Sequence, residues 1–426
     1  MAGVMIGESR RRPQWGRWLA TSCAVAFAVS LVDPQVVEAG CPPRYTVTIV
    51  GPWECSFPYP DNGTAGTAMN PDGVVTGYTA TCSTLATLPF IWTLEDSISA
   101  LPFPPGQLSG RAYGINDAGM VVGRTSSFLN ENIPLATVWP PGQAPILVGT
   151  MPGGNTSTLY DVNNSGTAVG YWHNSNNMPR HVLLWKDGEK FDLGPLTGWS
   201  NSVAHAVNDQ GVIAGFVGDI YEGAGLLIDG DEVVIVPPLP GDTSMQFRAL
   251  GESGIAGGES ELFQPGQSPA LVRHPVLYAD GKLQALENLP TYTKGTVLGV
   301  NSAGDAVGFS EQSSAGLPMR AVLWHEGKVH QLNDLLIDST AVVTDAWAIL
   351  DDGRILAHGD VPSVTSGALV LTPVPRLGDV TGDGCVDASD LAALLTDWGR
   401  RGSAADLDKS GVVDGGDLGL LLGDWG

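Results

Sequence analysis

Two twelve-residue stretches near the carboxyl end carry the clearest chemistry in the chain: "DVTGDGCVDASD" from Asp379 and "DLDKSGVVDGGD" from Asp406. Both set oxygen-bearing side chains at positions 1, 3, 5, 9 and 12 and a glycine at position 6. A hard divalent cation takes six to eight oxygens at about 2.3–2.6 Å, and so short a loop can wrap one only if its backbone turns sharply halfway. Gly384 and Gly411 permit that turn. The expected ligands of the first loop are Asp379, Thr381, Asp383, Asp387 and Asp390, with the carbonyl of Cys385; those of the second are Asp406, Asp408, Ser410, Asp414 and Asp417, with the carbonyl of Val412. The spacing thus predicts two Ca²⁺ sites. Four carboxylates crowd each loop, so without a cation their repulsion opposes folding, and metal binding and folding are coupled.

Each loop runs into a short apolar segment, "DLAALLTDWG" or "DLGLLLGDWG". Leu391, Leu394, Leu395 and Trp398 follow helical spacing, as do Leu418, Leu421, Leu422 and Trp425, and the two stripes are expected to pack on each other. Proline and glycine, not a helix, precede the first loop, so the unit is the loop-then-helix half of an EF-hand, repeated after 27 residues. Residues 377–426 resemble a type I dockerin, the module that plugs enzymes into cohesin domains of a scaffold. The resemblance implies a cohesin-like or other cell-surface scaffold protein as partner. In that family loop positions 10 and 11, often Ser and Thr, help contact cohesin; here they hold Ala388 and Ser389, then Gly415 and Gly416.

The elements in front of this module are of another kind. Between Tyr45 and Pro375 one pattern recurs seven times, as in "GINDAGMVVGR", "DVNNSGTAVGY" and "GVNSAGDAVGF". The central glycines, Gly73, Gly119, Gly166, Gly211, Gly254, Gly304 and Gly353, lie 43 to 50 residues apart, a period typical of radial or stacked repeats. Each copy reads as strand, Asn-x-x-Gly turn and strand, followed by an apolar hairpin such as "AVLWHEGKVHQL". Four strands per copy predict a mainly β protein, a seven-bladed β-propeller with the small α-helical calcium-binding, dockerin-like domain behind it. "YTVTIVG" from Tyr45 has no hairpin partner ahead of it, whereas the last copy runs out after "GALVLTPV", so Tyr45 to Val50 is expected to complete the seventh blade. The pattern resembles the HAF-type repeats of bacterial extracellular proteins, over most of residues 45–372. An open β-solenoid is the competing architecture.

Candidate chemistry within the repeats is sparse. Asn116, Asn163, Asn208 and Asn301 are read as turn formers rather than sugar-binding amides, and Trp92, Trp139, Trp185 and Trp324 as buried between blades rather than as stacking platforms. His173 and His181 bracket a loop, with no further ligand at metal spacing. No catalytic residue is assigned.

The first 39 residues read as an export signal: Arg10, Arg11, Arg12 and Arg17, then the apolar run "LATSCAVAFAVSLV", then "VEAG" with cleavage after Ala39. The expected organisation is signal peptide 1–39, propeller 40–372, linker 373–378 around Pro373 and Pro375, and dockerin-like module 379–426. Export removes Cys23 and leaves Cys41, Cys55, Cys82 and Cys385; a Cys55–Cys82 bridge and a lipid on Cys41 both stay open. With 45 acidic against 21 basic residues, the net charge of −24 argues against nucleic acid, and no later stretch is apolar for long enough to span a bilayer. The expectation is a secreted bacterial binding or structural protein, with carbohydrate as candidate ligand of the propeller. A polysaccharide-degrading enzyme carrying a dockerin is the alternative.

Overall fold

The computed structural model describes residues 41–51, 64–80, 86–127, 133–174, 179–219, 222–264, 271–312, 318–337, 339–362 and 364–425. The expected leader, Cys55 and Cys82 lie outside them. Among the described residues, no helix is long and apolar enough to cross a membrane.

A single copy shows how the repeat folds. Ser109–Ile115, Val121–Ser126, Leu135–Trp139 and Ile146–Leu147 hydrogen-bond in chain order as an antiparallel meander. The first two strands are joined by a turn that Asn116 organises: its carbonyl accepts from the Gly119 N–H at 3.0 Å, and its side-chain oxygen from the Met120 N–H at 2.9 Å. Gly119 takes the positive φ (79°) that other residues avoid. The same side-chain bond recurs at Asn70, Asn163, Asn208 and Asn301, which makes these asparagines turn formers. Their amides also reach across the repeat. Asn70 donates to the Asn116 carbonyl (3.2 Å), Asn116 to that of Asn163 (3.0 Å), and Asn163 to that of Asn208 (2.9 Å).

Every innermost strand carries an extra residue, a β-bulge three places before the turn position, and the last, Val342–Ile349, carries a second at Thr344; in copies two to five the unpaired residues are Tyr113, Tyr160, His205 and Arg248. The bulge explains the glycine that follows the turn in the first six copies. A Cβ on Gly170 would sit 2.0 Å from the Thr158 carbonyl oxygen, and one on Gly123 2.1 Å from that of Arg111; the seventh copy holds Ala357 opposite its bulge.

The meanders form five four-stranded sheets and one of eight strands; the last is two meanders meeting at a single parallel pair, Arg273 with Lys294. Apolar clusters lie between consecutive units. Val122, Ala136 and Val138 of one pack on Leu159, Leu183 and Trp185 of the next, and Leu356 and Val370 of the last pack on Val75, Phe90 and Trp92 of the first. The ring is therefore closed, and the chain is a β-propeller. Trp92, Trp139, Trp185 and Trp324 are all buried in these clusters, as core and not as open stacking faces. The indole N–H of Trp139 donates to the Pro102 carbonyl (2.7 Å) and that of Trp324 to the Glu287 carbonyl (2.7 Å).

Closure uses both ends of the repeat region, as the unpaired first strand implied. Arg44–Ile49 pairs with Val364–Val374, and Tyr45 is fully buried. Pro373 pairs with Tyr45, so the stretch expected to be a linker from 373 onwards begins inside the last strand. It can do so because pairing with Ile355–Val361 ends at Leu371, so Pro373 has a strand on one side only and a missing N–H is tolerated.

The tail forms two short helices, Ala388–Thr396 (α1) and Gly415–Gly423 (α2). Leu394 and Leu421 are fully buried with Val386, Ala405 and Val413, and Leu391 and Leu418 pack against them. The rest of each expected stripe is exposed: Leu395, Trp398, Leu422 and Trp425. Trp398 and Trp425 lie beyond the helix ends at Asp397 and Asp424, so helical spacing no longer places them on the buried face.

Candidate functional site

The two acidic loops enter the helices through the same device. Asp387 and Asp414 are N-caps, each accepting from the backbone two residues on, while Asp390 and Asp417 bond back to the cap N–H groups at 2.9 and 2.8 Å. Residues nine and twelve of each loop are thus fixed by the helix that follows. Gly384 and Gly411 adopt φ of 85° and 97°, as the turn at position 6 requires. Carboxylate oxygens of Asp379, Asp383 and Asp390 lie within 4.8 Å of one another, as do those of Asp406, Asp408 and Asp417.

Other expected ligands are engaged locally. The Thr381 hydroxyl donates to Asp390 at 3.0 Å, and the Ser410 hydroxyl to the Val412 carbonyl at 3.2 Å. Burial alone would raise the Asp390 carboxyl, but hydrogen bonds from Asp387, Thr381 and Val380 hold it below the usual range, so it is an anion at neutral pH. One oxygen of Asp406 is buried without a hydrogen-bond partner among the described residues. An orphaned carboxylate oxygen beside two more carboxylates, in a set made only of oxygen donors, fits a calcium ion and not a soft metal.

Cys385, whose carbonyl was the expected seventh-position ligand, forms a disulfide with Cys41. The bridge leaves no thiol on Cys41 to carry a lipid. It also fastens the first loop to the segment that starts the ring-closing strand. Arg44 pairs with Asp424 at 3.3 Å, and Arg376 donates to the Pro42 carbonyl at 3.3 Å, so the module is seated on that segment.

The second candidate lies on the propeller axis, a cavity of about 600 Å³ lined by the innermost strands. The bulged residues look into it: Thr67, Tyr113, Tyr160, His205, Arg248, Leu298 and Trp347. Eleven residues after five of them comes a side chain of the second strand that meets it, Trp347 meeting His358 at 5.5 Å. The Arg124 guanidinium lies 5.6 Å from the Tyr113 ring, Tyr171 5.8 Å from Tyr160, and Phe216 6.0 Å from His205. Arg248 forks onto the fully buried Glu259 at 2.9–3.2 Å. Across neighbouring blades, His205 stacks on Tyr160 with ring centres 5.3 Å apart and planes 8° from parallel.

Ionisation in the channel follows from these neighbours. Burial lowers His205, helped by the charges of Arg248 and Arg180, to about 3, so the ring is neutral. Its Nε2 is buried and has no hydrogen-bond partner. Burial raises Asp161 against hydrogen bonds from the Val207 and Val162 N–H groups (both 2.9 Å), and with Glu252 and Asp209 adding repulsion the carboxyl reaches about 6. At the turn end the mouth is acidic and laced together. Asn164 donates to both Asp117 (2.8 Å) and Asp209 (2.7 Å), and the Asp209 N–H donates to Glu252 (2.9 Å).

His173 and His181 each have a partner of their own, the Asn174 carbonyl at 3.0 Å and Asp192 at 3.3 Å. The bulged residues went unnoticed in the sequence. Their signal is the third place before each turn residue, where otherwise similar copies hold Thr, Tyr, Tyr, His, Arg, Leu and Trp.

No family model matches the chain, and no curated protein matches it. Among solved structures, the β-propeller domain of the Trilobed protease from Pyrococcus furiosus aligns with a TM-score of 0.46 and 8% identity, over 74% of this chain and 94% of that one. TolB from Acinetobacter baumannii aligns at 0.37 and 10%, over 71% and 79%. The Pyrococcus horikoshii acylaminoacyl peptidase aligns at 0.42 and 11%, over 73% of this chain but 52% of its own, so the chain spans about half of that enzyme. The class is β-propeller, on the strength of the sheet topology; nothing about ligand or activity follows from these likenesses.

Proposed function

We propose that this is a secreted binding protein, a seven-bladed propeller that recognises a ligand and carries a dockerin-like module with two Ca²⁺ ions for docking to a cohesin-like or other surface scaffold protein. The observation that carries it is the convergence of three carboxylates in each of two duplicated loops, one with an orphaned buried oxygen. Asp379, Asp383 and Asp390 would hold one ion; Asp406, Asp408 and Asp417 the other. Thr381, Asp387, Ser410, Asp414 and the carbonyls of Cys385 and Val412 complete the expected sets. A bound ion cancels the repulsion within each cluster and so stabilises the surface offered to the partner. The propeller side of the reading draws on the channel, to which the successive blades contribute bulged side chains of six different types, an arrangement suited to recognition.

Calorimetric titration of the chelator-treated full chain with Ca²⁺ tests the module. Two equivalents are expected, falling to one in Asp417→Ala, and the melting transition of the tail should rise with Ca²⁺ while that of the propeller stays. No uptake at millimolar Ca²⁺ would overturn the metal assignment, and with it the docking role.

A further inference from the structure

We propose that the channel wall around Tyr160 binds an acidic glycan, a sugar ring bearing a carboxylate or a sulfate. The inference rests on reading the propeller as the recognition body and names what it recognises.

Guanidinium groups gather here in a chain that is otherwise strongly acidic. Arg124 lies over Tyr113 at 5.6 Å, and Arg180 over Tyr171 at 5.0 Å. Both act electrostatically on Tyr160, and Arg180 acts with Arg248 on His205. Arg124 and Arg180, each set over a tyrosine that meets Tyr160, and Arg248 on the cavity lining thus act on the stacked pair of Tyr160 and His205. Glu259 holds the Arg248 fork in place. Nε2 of His205, on the cavity lining, and Nε of Arg180, behind it over the Tyr171 ring, are buried without hydrogen-bond partners among the described residues. Buried donors and acceptors are normally satisfied, so unpaired ones beside a cavity mark where a ligand's oxygens belong.

The aromatic groups narrow the class. Tyr113 meets Tyr160 edge-on at 5.4 Å, and His205 covers a face of Tyr160. Rings with an apolar body and a polar tip suit a sugar, which presents C–H groups on its faces and hydroxyls at its edge. An arginine fork matches the oxygens of a carboxylate or sulfate. The acidic rim of Asp117, Asp209 and Glu252 at the turn end repels a dense polyanion threaded along the axis. The net charge of −24 likewise opposes a dense polyanion.

The test is isothermal titration of the full Ca²⁺-loaded chain with three probes: glucuronate-containing, sulfated-galactose and neutral glucose oligosaccharides. Either acidic probe is expected to bind at least tenfold tighter than the neutral one, and raising salt from about 50 to about 200 mM should weaken it. Which acidic probe binds identifies the charged group. Arg180→Gln should cost roughly tenfold in affinity and Arg180→Lys less, as for a lost charge-assisted hydrogen bond. Both variants should melt and take up Ca²⁺ like the wild type. Equal affinity for neutral sugar, or acidic binding untouched by Arg180→Gln and by His205→Gln, would overturn the proposal. Absence of acidic binding in a protein that still takes up two Ca²⁺ would overturn it while leaving the module's role standing.

Discussion

His205 is held neutral by burial, helped by the charges of Arg248 and Arg180, and that has a measurable consequence. Its pKa of about 3 in the folded chain lies below the ordinary 6.5, so the unfolded chain takes up a proton that the folded one refuses. The stability it contributes is complete above pH 6.5 and is lost as pH falls toward 3, at up to about 1.4 kcal/mol per unit. Asp161 works in the opposite sense. Raised from 3.8 to about 6, it weakens the fold above pH 6, and the penalty is relieved as pH falls toward 3.8. Between these values the two offset each other. Thermal melts of His205→Gln at about pH 7 and about pH 4.5 should therefore show less loss on acidification than the wild type, or a gain, with Asp161 left unopposed. Equal losses in both proteins would mean that His205 is already protonated in the folded state.

The repeated element owes its form to a conflict between two backbone demands. A bulge on the innermost strand turns a side chain into the channel, and it pushes a carbonyl toward the second strand where a Cβ would otherwise stand. Glycine at that place resolves the conflict in the first six copies, whereas the seventh accommodates Ala357. Gly170→Ala would put a carbon 2.0 Å from the Thr158 oxygen and 2.8 Å from Leu159 Cα, both backbone atoms that cannot yield singly. Urea unfolding should show a loss of about 3 kcal/mol or more, or failure to fold. Gly423→Ala at the end of α2, with nothing within 4 Å of its Cβ, should be neutral or gain up to about 1 kcal/mol. Matching midpoints for the two variants would remove the bulge as the reason for the glycine. The Asn turn was legible because its bonds are local, whereas the amide reaching to the next copy was not, since it exists only once neighbouring blades are packed.

At the scale of the molecule the two ends of the ring and the tail form one connected structure. The strand Arg44–Ile49 closes the last sheet, and the Cys41–Cys385 bridge just before it reaches 344 residues along the chain to the first acidic loop. Cross-linking so distant a pair restricts the unfolded chain strongly, and removing such a bridge typically costs about 2–5 kcal/mol. Cys385→Ser should accordingly lower the melting temperature. It should also weaken Ca²⁺ at the first loop, which loses its anchor, more than at the second. Calorimetric titration resolving the two ions checks this, and an equal change at both loops would show that the bridge does not support the first loop.

The ring architecture and the two acidic loops leading into helices were readable from the residues because both are set by short-range rules: turn residues at a constant period, and capping carboxylates at fixed places after one glycine. An unpaired first strand even announced how the ring closes. Which side chains face the axis, which cysteines meet, and which tryptophans stay in water were decided only in three dimensions. Tyr160 and His205 stack, and Cys41 reaches Cys385, because packing of successive sheets brings together residues that no local pattern relates. Trp398 and Trp425 are exposed because their helices end before the spacing does.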